Sequence, residues 1–197
     1  GKWFVIGQVG GRWPGRRRPG CAPTFIGGPV EATLMKVGIV SDTHDDLDAI
    51  QTAVDQFSDV SAVIHCGDII APFAATLFDA GFDFYAVRGN NDGEWSLQKT
   101  VDEFGIYLGE MGKLSFGGTS FAVYHGTEPP IVDALVACGQ YDYVVHGHTH
   151  ERAHEERDGT VRINPGGVAI DPDGDAQPPA AVVVDTETDD VTFHDLH

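Results

Sequence analysis

Residues that can bind metal ions recur where the apolar runs of this chain end. The segment VVHGHTH at 144–150 contains three histidines separated by single residues, namely His146, His148 and His150. Four other apolar runs end in comparable segments, which are DTH at 42–44, HCGD at 65–68, RGNND at 88–92 and YHG at 124–126. Each segment alone is weak evidence, because a single aspartate often caps a helix and a single histidine is usually structural. Their joint occurrence after five runs predicts a metal site.

The runs that carry these segments have the lengths of strands, and they alternate with helical patterns. Strands are predicted at 36–41, 60–65, 82–87, 119–125, 141–147, 151–157, 160–164, 180–185 and 191–195. Helices are predicted at 47–57, 72–80, 94–105 and 130–138, with an irregular segment before the strand at 119–125. The Asp158-Gly159 pair is typical of a hairpin turn. This order indicates an α/β fold with layers and mixed sheets.

In such folds the loops at the carboxyl ends of the strands form the ligand site, so the five segments are expected to converge. Together they offer more carboxylate, amide and imidazole groups than one ion needs when water and substrate also bind. Two ions that share one carboxylate fit the segments better. The ligand types suit Mn²⁺, Fe²⁺ or Zn²⁺. The three cysteines form no CxxC pair, which argues against a zinc ribbon or a disulfide framework.

The motifs DTH, HCGD, GNND, YHG and GHTH, in this order, resemble those of the calcineurin-like metallophosphoesterases. Within that family the chain looks like the small YfcE-type phosphodiesterases of archaea and bacteria, from Met35 to about the C-terminus. The resemblance implies a four-layer α/β/β/α sandwich, in which two mixed β-sheets are flanked by helices. It also implies a site for two metal ions at the edge of that sandwich.

The resemblance implies a metal ligand at seven positions, which are Asp42, His44, Asp68, Asn90, His125, His148 and His150. In this assignment Asp42, His44 and His150 bind the first ion. Asn90, His125 and His148 bind the second, and Asp68 bridges the two. The implied cofactor is two divalent ions per chain, with Mn²⁺ expected and Ni²⁺, Fe²⁺, Zn²⁺ or Co²⁺ as alternatives.

The implied reaction is hydrolysis of a phosphate diester by a hydroxide that the two ions activate. Asp68, Asn90, His125 and Arg88 are the implied catalytic residues, with Arg88 contacting the phosphate. A surface ion pair is the alternative for Arg88. A phosphomonoesterase acting on a small phosphorylated metabolite, or a catalytically weak protein-binding scaffold of the same fold, are the alternative functions.

Several neighbouring residues are interpreted as supporting the site. His65 and His146 are expected to be structural, and Asp92 is expected to orient a ligand such as His125 or the surrounding loop. Two positions depart from many relatives. Asn91 stands where phosphatases often carry a histidine that protonates the leaving group, and Thr127 replaces a second histidine after the YHG motif. An amide cannot act as an acid at neutral pH, which favours diesters or good leaving groups.

The charge and hydropathy of the chain limit the kinds of molecule that it is expected to bind. The chain has a formal net charge of −18, and beyond residue 34 it contains only 7 basic residues against 29 acidic ones. Strong nucleic-acid binding is therefore not expected. So acidic a surface favours a halophilic source, where salt screens self-repulsion. No run is long enough to cross a bilayer. We expect a cytoplasmic protein that acts on a small phosphodiester, with a homodimer possible.

The first 34 residues differ in composition from the rest, since GRWPGRRRPGCAPTFIGGP is rich in Gly, Pro and Arg. They are interpreted as a disordered or upstream-translated extension, and residues 35–197 as the metallophosphoesterase domain. A chain that begins at Met35 should therefore fold and should hydrolyse bis-p-nitrophenyl phosphate as fast as the full chain. Circular dichroism and the hydrolysis rate test this. An unfolded or inactive shortened chain would refute the interpretation.

Overall fold

The computed structural model describes residues 35–93, 95–167 and 178–196, so the predicted extension at 1–34 lies outside the described residues. The described strands are β1 Lys36–Val40, β2 Ala62–His65, β3 Asp83–Ala86, β4 Ile106–Tyr107, β5 Met111–Phe116, β6 Thr119–Tyr124, β7 Tyr143–Val145, β8 Ala153–Arg157, β9 Thr160–Asn164, β10 Ala180–Asp185 and β11 Val191–Asp195. The described α-helices are α1 Leu47–Gln56, α2 Pro72–Ala75, α3 Trp95–Val101 and α4 Pro129–Ala137.

The strands form two mixed sheets. The first has the order β11-β10-β1-β2-β3-β4, in which β1 to β4 are parallel and β10 and β11 are antiparallel to their neighbours. The second has the order β5-β6-β7-β9-β8, in which β6, β7 and β9 are parallel. Parallel neighbours end at the same edge of their sheet, so the loops after β1, β2 and β3 lie side by side.

Three apolar clusters hold four layers together. Between the sheets, Val37 and Ile39 of β1 belong to the same buried cluster as Phe121, Tyr143 and Ile163 of the second sheet. On the outer face of the first sheet, a second cluster contains residues of α1, α2 and α3. On the outer face of the second sheet, α4 packs through a third cluster. The predicted α/β/β/α sandwich is confirmed.

The segment expected to be irregular before β6 contains two strands. β4 pairs with β3 through only two residues, which is too short for a periodic pattern to be visible. β5 pairs antiparallel with β6, and Phe116 faces Thr119 across Gly117 and Gly118, both at positive φ. In β5, Gly112 stands where an alternating strand would carry an apolar side chain, so the alternation is not visible in the sequence. The Gly117-Gly118 pair was the sequence signal for this hairpin.

Two helices are shorter than the sequence predicted. The helix expected at 72–80 ends at Ala75 and continues as a 3₁₀ turn at Thr76–Phe78. The helix expected at 94–105 ends at Val101. No helix among residues 35–93, 95–167 and 178–196 is long and apolar enough to cross a membrane.

Gly38 in β1 allows α1 to pack closely on the first sheet. A Cβ atom at this position would lie 2.6 Å from Cδ1 of Phe57, whose ring is fully buried. We expect Gly38→Ala to lower the free energy of unfolding by about 1–3 kcal/mol, because the buried ring must move. Urea denaturation in molar salt measures the effect.

Gly93→Ala is the matched control, since a Cβ there meets its nearest atom at 3.6 Å, which is an ordinary contact. It should change the unfolding free energy by less than about 0.5 kcal/mol. If Gly38→Ala unfolds at the same urea concentration as the wild type, the packing argument is wrong.

Candidate metal centre

The five ligand segments converge at one edge of the sandwich, three from the first sheet and two from the second. Backbone hydrogen bonds join neighbouring segments. The Asp42 N–H donates to the Gly67 carbonyl at 3.0 Å, and the His44 N–H donates to the Asp68 carbonyl at 3.1 Å. In the second sheet, the Gly147 N–H donates to the His125 carbonyl at 2.8 Å. The loops are therefore fixed relative to one another by their own backbone.

Asp42, His44 and His150 form the first group of ligands. Nε2 of His44 lies 3.2 Å from Nε2 of His150, and Nε2 of His150 lies 3.4 Å from Oδ1 of Asp42. Two imidazole nitrogens bound to one zinc-like ion at 2.0–2.1 Å would be about 3.0–3.4 Å apart. The spacing of these atoms fits a shared metal ion.

The second group consists of Asp42, Asp68 and His125. Nε2 of His125 lies 3.5 Å from Oδ2 of Asp68 and 3.0 Å from Oδ1 of Asn90. The ring of His148 stands edge-on to the ring of His125, with centroids 5.2 Å apart. All seven predicted ligands are thus brought to the same edge, although His148 and Asn90 belong to neither compact group.

Asp68 lies between the two groups. Its Oδ2 atom is 3.5 Å from Nε2 of His125 and 3.8 Å from Nε2 of His44. Asp42 also belongs to both groups, so both carboxylates face the space between the imidazoles. A carboxylate in this position can bridge two ions.

The orientation of His125 leaves a lone pair directed at this space. Its Nδ1 atom lies 2.8 Å from the Cys66 carbonyl, which can only accept, so Nδ1 holds the proton. In the neutral ring, Nε2 then offers a lone pair towards the oxygens of Asn90 and Asp68. Oδ1 of Asp42 is buried and has no hydrogen-bond partner among the residues that the structure describes. Such converging acceptors fit a cation.

Both carboxylates are ionised despite their burial. Burial raises the pKa of Asp42, but the nearby His150 ring and the hydrogen bond from Ser41 outweigh burial and hold the pKa below its ordinary value. Burial also raises the pKa of Asp68, but the nearby His125 ring and two hydrogen bonds from Asn91 hold it below its ordinary value. The nearby Asp42 carboxylate raises the pKa of His150. The centre therefore concentrates negative charge and favours cations.

Five of the seven predicted ligands have a left-handed backbone. The φ angles are 52° at Asp42, 44° at His44, 61° at Asp68, 70° at His148 and 57° at His150. This region is sparsely populated by residues other than glycine, but aspartate and histidine adopt it more readily than most. Such conformations cost of order 1–3 kcal/mol each and persist where the surroundings enforce them.

A buried network enforces the conformation of the GHTH loop. The Gly147 carbonyl accepts from Nδ1 of His146 at 3.0 Å and from Nδ2 of Asn164 at 3.1 Å. Nε of Arg162 donates to Nε2 of His146 at 2.8 Å, so His146 is neutral with its proton on Nδ1. Burial lowers the pKa of His146 to about 4. A side chain at Gly147 would collide with Ser41 and with the Asp42 carboxylate.

The residues expected to support the site do so through the loops. Asp92 accepts from the backbone N–H groups of Asp68 at 3.0 Å and Ile70 at 2.8 Å, so it holds this loop, while His125 is oriented by the Cys66 carbonyl. His65 lies 3.1 Å from Oγ1 of Thr43, and burial lowers its pKa to about 3.

Arg88 has different surroundings from Asn91 and Thr127, the two positions at which the sequence departs from many relatives. Arg88 pairs with Glu110 at 3.1 Å, which is the alternative that the sequence left open. Its contact with phosphate stays a prediction. Asn91 donates to Asp68 twice, from its backbone N–H at 2.8 Å and from its side-chain amide at 2.7 Å. Thr127 is exposed.

Sequence reasoning missed Ser41 and Asn164. Oγ of Ser41 donates to Oδ2 of Asp42 at 2.6 Å, and Asn164 is fully buried beneath the GHTH loop. Neither stands in a metal-binding motif. Asn164 ends β9, two strands after His150 and outside every ligand segment, so only the fold shows that it belongs to the site.

Known proteins are similar to this chain in sequence and in fold. Residues 35–189 match the family model of the calcineurin-like phosphoesterase superfamily domain. A protein of Methanocaldococcus jannaschii named as a phosphodiesterase is 38% identical over 141 residues, which cover 67% of this chain and 83% of that protein.

Solved structures show the same fold. One described as a novel archaeal phosphodiesterase has a TM-score of 0.75 at 33% identity, covering 82% of this chain and 99% of its own. The phosphoesterase YfcE from E. coli shares the fold, with a TM-score of 0.59 at 18% identity over 83% of this chain and 100% of its own. With the family model matching most of its length, this chain belongs to the calcineurin-like phosphoesterase superfamily.

Proposed function

We propose that this protein is a divalent-metal-dependent phosphodiesterase with two ions in its site. The observation that carries the proposal is the pair of ligand groups that share Asp42, with Asp68 in the second group and 3.8 Å from His44 of the first. The similarity to a protein named as a phosphodiesterase supports the same activity.

The ligands divide into two sets around Asp68. Asp42, His44 and His150 would hold the first ion, and Asn90, His125 and His148 would complete the shell of the second. Two bound ions would supply Lewis acidity towards the phosphate and a water acidified to serve as nucleophile. The chain itself supplies fixed ligand orientations, since the loop backbones and the Cys66 carbonyl hold the imidazoles in place.

Asn91 supports a diester as substrate. Its amide donates to Oδ2 of Asp68, and it occupies the sequence position at which related phosphatases often carry the proton donor to the leaving group. An amide has no proton to release at neutral pH, so the leaving group must depart with little help from this residue. Aryl and other good leaving groups satisfy this requirement, and a diester also brings less negative charge into an acidic site.

A panel of metals and substrates tests the proposal. Protein stripped with a chelator should be inactive, and Mn²⁺ should restore hydrolysis of bis-p-nitrophenyl phosphate in molar salt. We expect p-nitrophenyl phosphate to react at least about tenfold more slowly, with Ni²⁺, Fe²⁺, Zn²⁺ and Co²⁺ run in parallel. Release of p-nitrophenolate measures both reactions.

The alternatives predict different results in the same panel. Faster hydrolysis of the monoester would indicate a phosphomonoesterase. Two bound ions per chain without turnover of either ester would indicate a binding scaffold. Metal analysis of the same samples separates this outcome from a failure to load the site.

Asp68→Asn tests the bridging position. The substitution removes the charge that both ions would share, and it leaves the side chain the same size. We expect kcat/KM to fall by more than about 100-fold, because changing even a residue that only orients a ligand costs 10–100-fold. The number of metal ions bound per chain, measured by inductively coupled plasma mass spectrometry, should fall as well.

Asp55→Asn is the matched control, since Asp55 is an exposed aspartate on α1. It should keep wild-type kcat/KM and metal content. If Asp68→Asn keeps its activity and both ions, Asp68 does not bridge them.

A further inference from the structure

A cleft opens beside the metal centre on the side of α3. We name it the Trp95 cleft, and it is lined by Arg88, Gly93, Trp95, Gln98 and Tyr107. Its volume is about 260 Å³. Because an engineered cavity of about 150 Å³ binds benzene, this space is large enough for an aromatic ring.

The walls of the cleft are fixed by secondary structure. Trp95 and Gln98 are one turn apart on α3, whereas Leu97 and Val101 of the same helix are buried in the core. The Trp95 side chain is 71% exposed, which is unusual for so large an apolar group and leaves its face free. Tyr107 also lines the cleft and is held by its place in β4, where it pairs with Ala86. Two aromatic residues held by secondary structure therefore line the cleft, and the exposed Trp95 offers a face to a flat group.

The cleft and the metal centre share one loop. Arg88 and Gly93, at the two ends of the loop after β3, line the cleft, while Asn90 between them is brought to His125. Arg88 and Asn90 are two residues apart, which corresponds to at most about 7 Å of chain. Asp92 fixes the loop by accepting from Asp68 and Gly89. One ester group of a phosphate held at the metal centre can reach the cleft.

The charge at the cleft mouth also suits a phosphodiester. Arg88 is one of few basic residues in a chain of net charge −18, and its only ion-pair partner among the described residues is the largely exposed Glu110. Pairs of this kind contribute little and exchange readily. Arg88 can therefore face an anionic phosphate while the aromatic walls contact an uncharged ring.

We propose that the Trp95 cleft binds a planar aromatic ester group of the substrate, the one that is retained on the product. The substrate class is then an aryl or nucleoside phosphodiester, and Trp95 provides the stacking face. This inference rests on the proposed phosphodiesterase activity, which it extends from the phosphate to the group beside it.

Three esters with a common leaving group test the cleft in the full chain with Mn²⁺. They are the p-nitrophenyl diesters of methyl phosphate, phenyl phosphate and thymidine 5′-phosphate. The wild type should show a higher kcat/KM for the phenyl and thymidine esters than for the methyl ester. Preference for thymidine over phenyl would assign the cleft to nucleosides, and the reverse would assign it to simple aryl groups.

Trp95→Ala should lower kcat/KM about tenfold for the two aromatic esters, mainly through KM, because base stacking on an aromatic side chain has about this effect. The methyl ester should lose less than twofold. Trp95→Phe, which keeps an aromatic face, should recover most of the loss. Ile131→Ala is the matched control, since Ile131 is an exposed apolar residue on α4.

Equal losses for all three esters, or no loss, would overturn the proposal. A change in oligomer mass of Trp95→Ala, measured by light scattering, would assign the exposed tryptophan to contact with a second copy and would also overturn it. If the wild type hydrolyses none of the three esters, the proposed function itself fails, which is a different result from loss of selectivity.

Discussion

Two ionised carboxylates buried at the edge of a β-sandwich dominate this structure. Asp42 and Asp68 are almost completely buried, and their hydrogen bonds keep both charged. Burying such charge is costly unless cations or donors compensate it. Imidazoles from both sheets surround the carboxylates, and the lone pair of Nε2 of His125 points inwards. The residues whose burial is unfavourable without a cation are therefore the same residues that would bind one.

The ligand loops depend on strain that the surrounding structure maintains. Five ligands hold a left-handed backbone, which free loops would rarely adopt. Asp92 fixes the loop of Asp68 through two backbone N–H groups, and Asn164 with His146 fixes the loop of His148 and His150 through the Gly147 carbonyl. The apolar core between the sheets sets the distance between these loops. Buried polar networks of this kind specify one geometry because each missing bond would leave a buried group unpaired.

The surroundings of the centre differ between its two sides. Towards the second sheet, Arg162 donates to the neutral His146, and these two side chains line a pocket of about 190 Å³. Towards α3, the loop after β3 opens into the Trp95 cleft, with an exposed aromatic face and a cationic side chain. Asn91 adds a neutral donor on the bridging carboxylate. The proposed substrate would place its phosphate at the ligands and its ester group on the α3 side, where the aromatic lining and Arg88 lie.

The sequence by itself determined the alternation of strands and helices and the residue types at the strand ends, because periodicity and turn chemistry are local. It also carried the five ordered motifs of the family. It did not reveal β4, which pairs through only two residues, or β5, in which Gly112 interrupts the apolar alternation, or Asn164 beneath the GHTH loop. Only the tertiary structure paired Arg88 with Glu110, gave His125 its proton on Nδ1 and placed five ligands in a left-handed backbone. These features depend on which distant groups meet, and that is decided by packing.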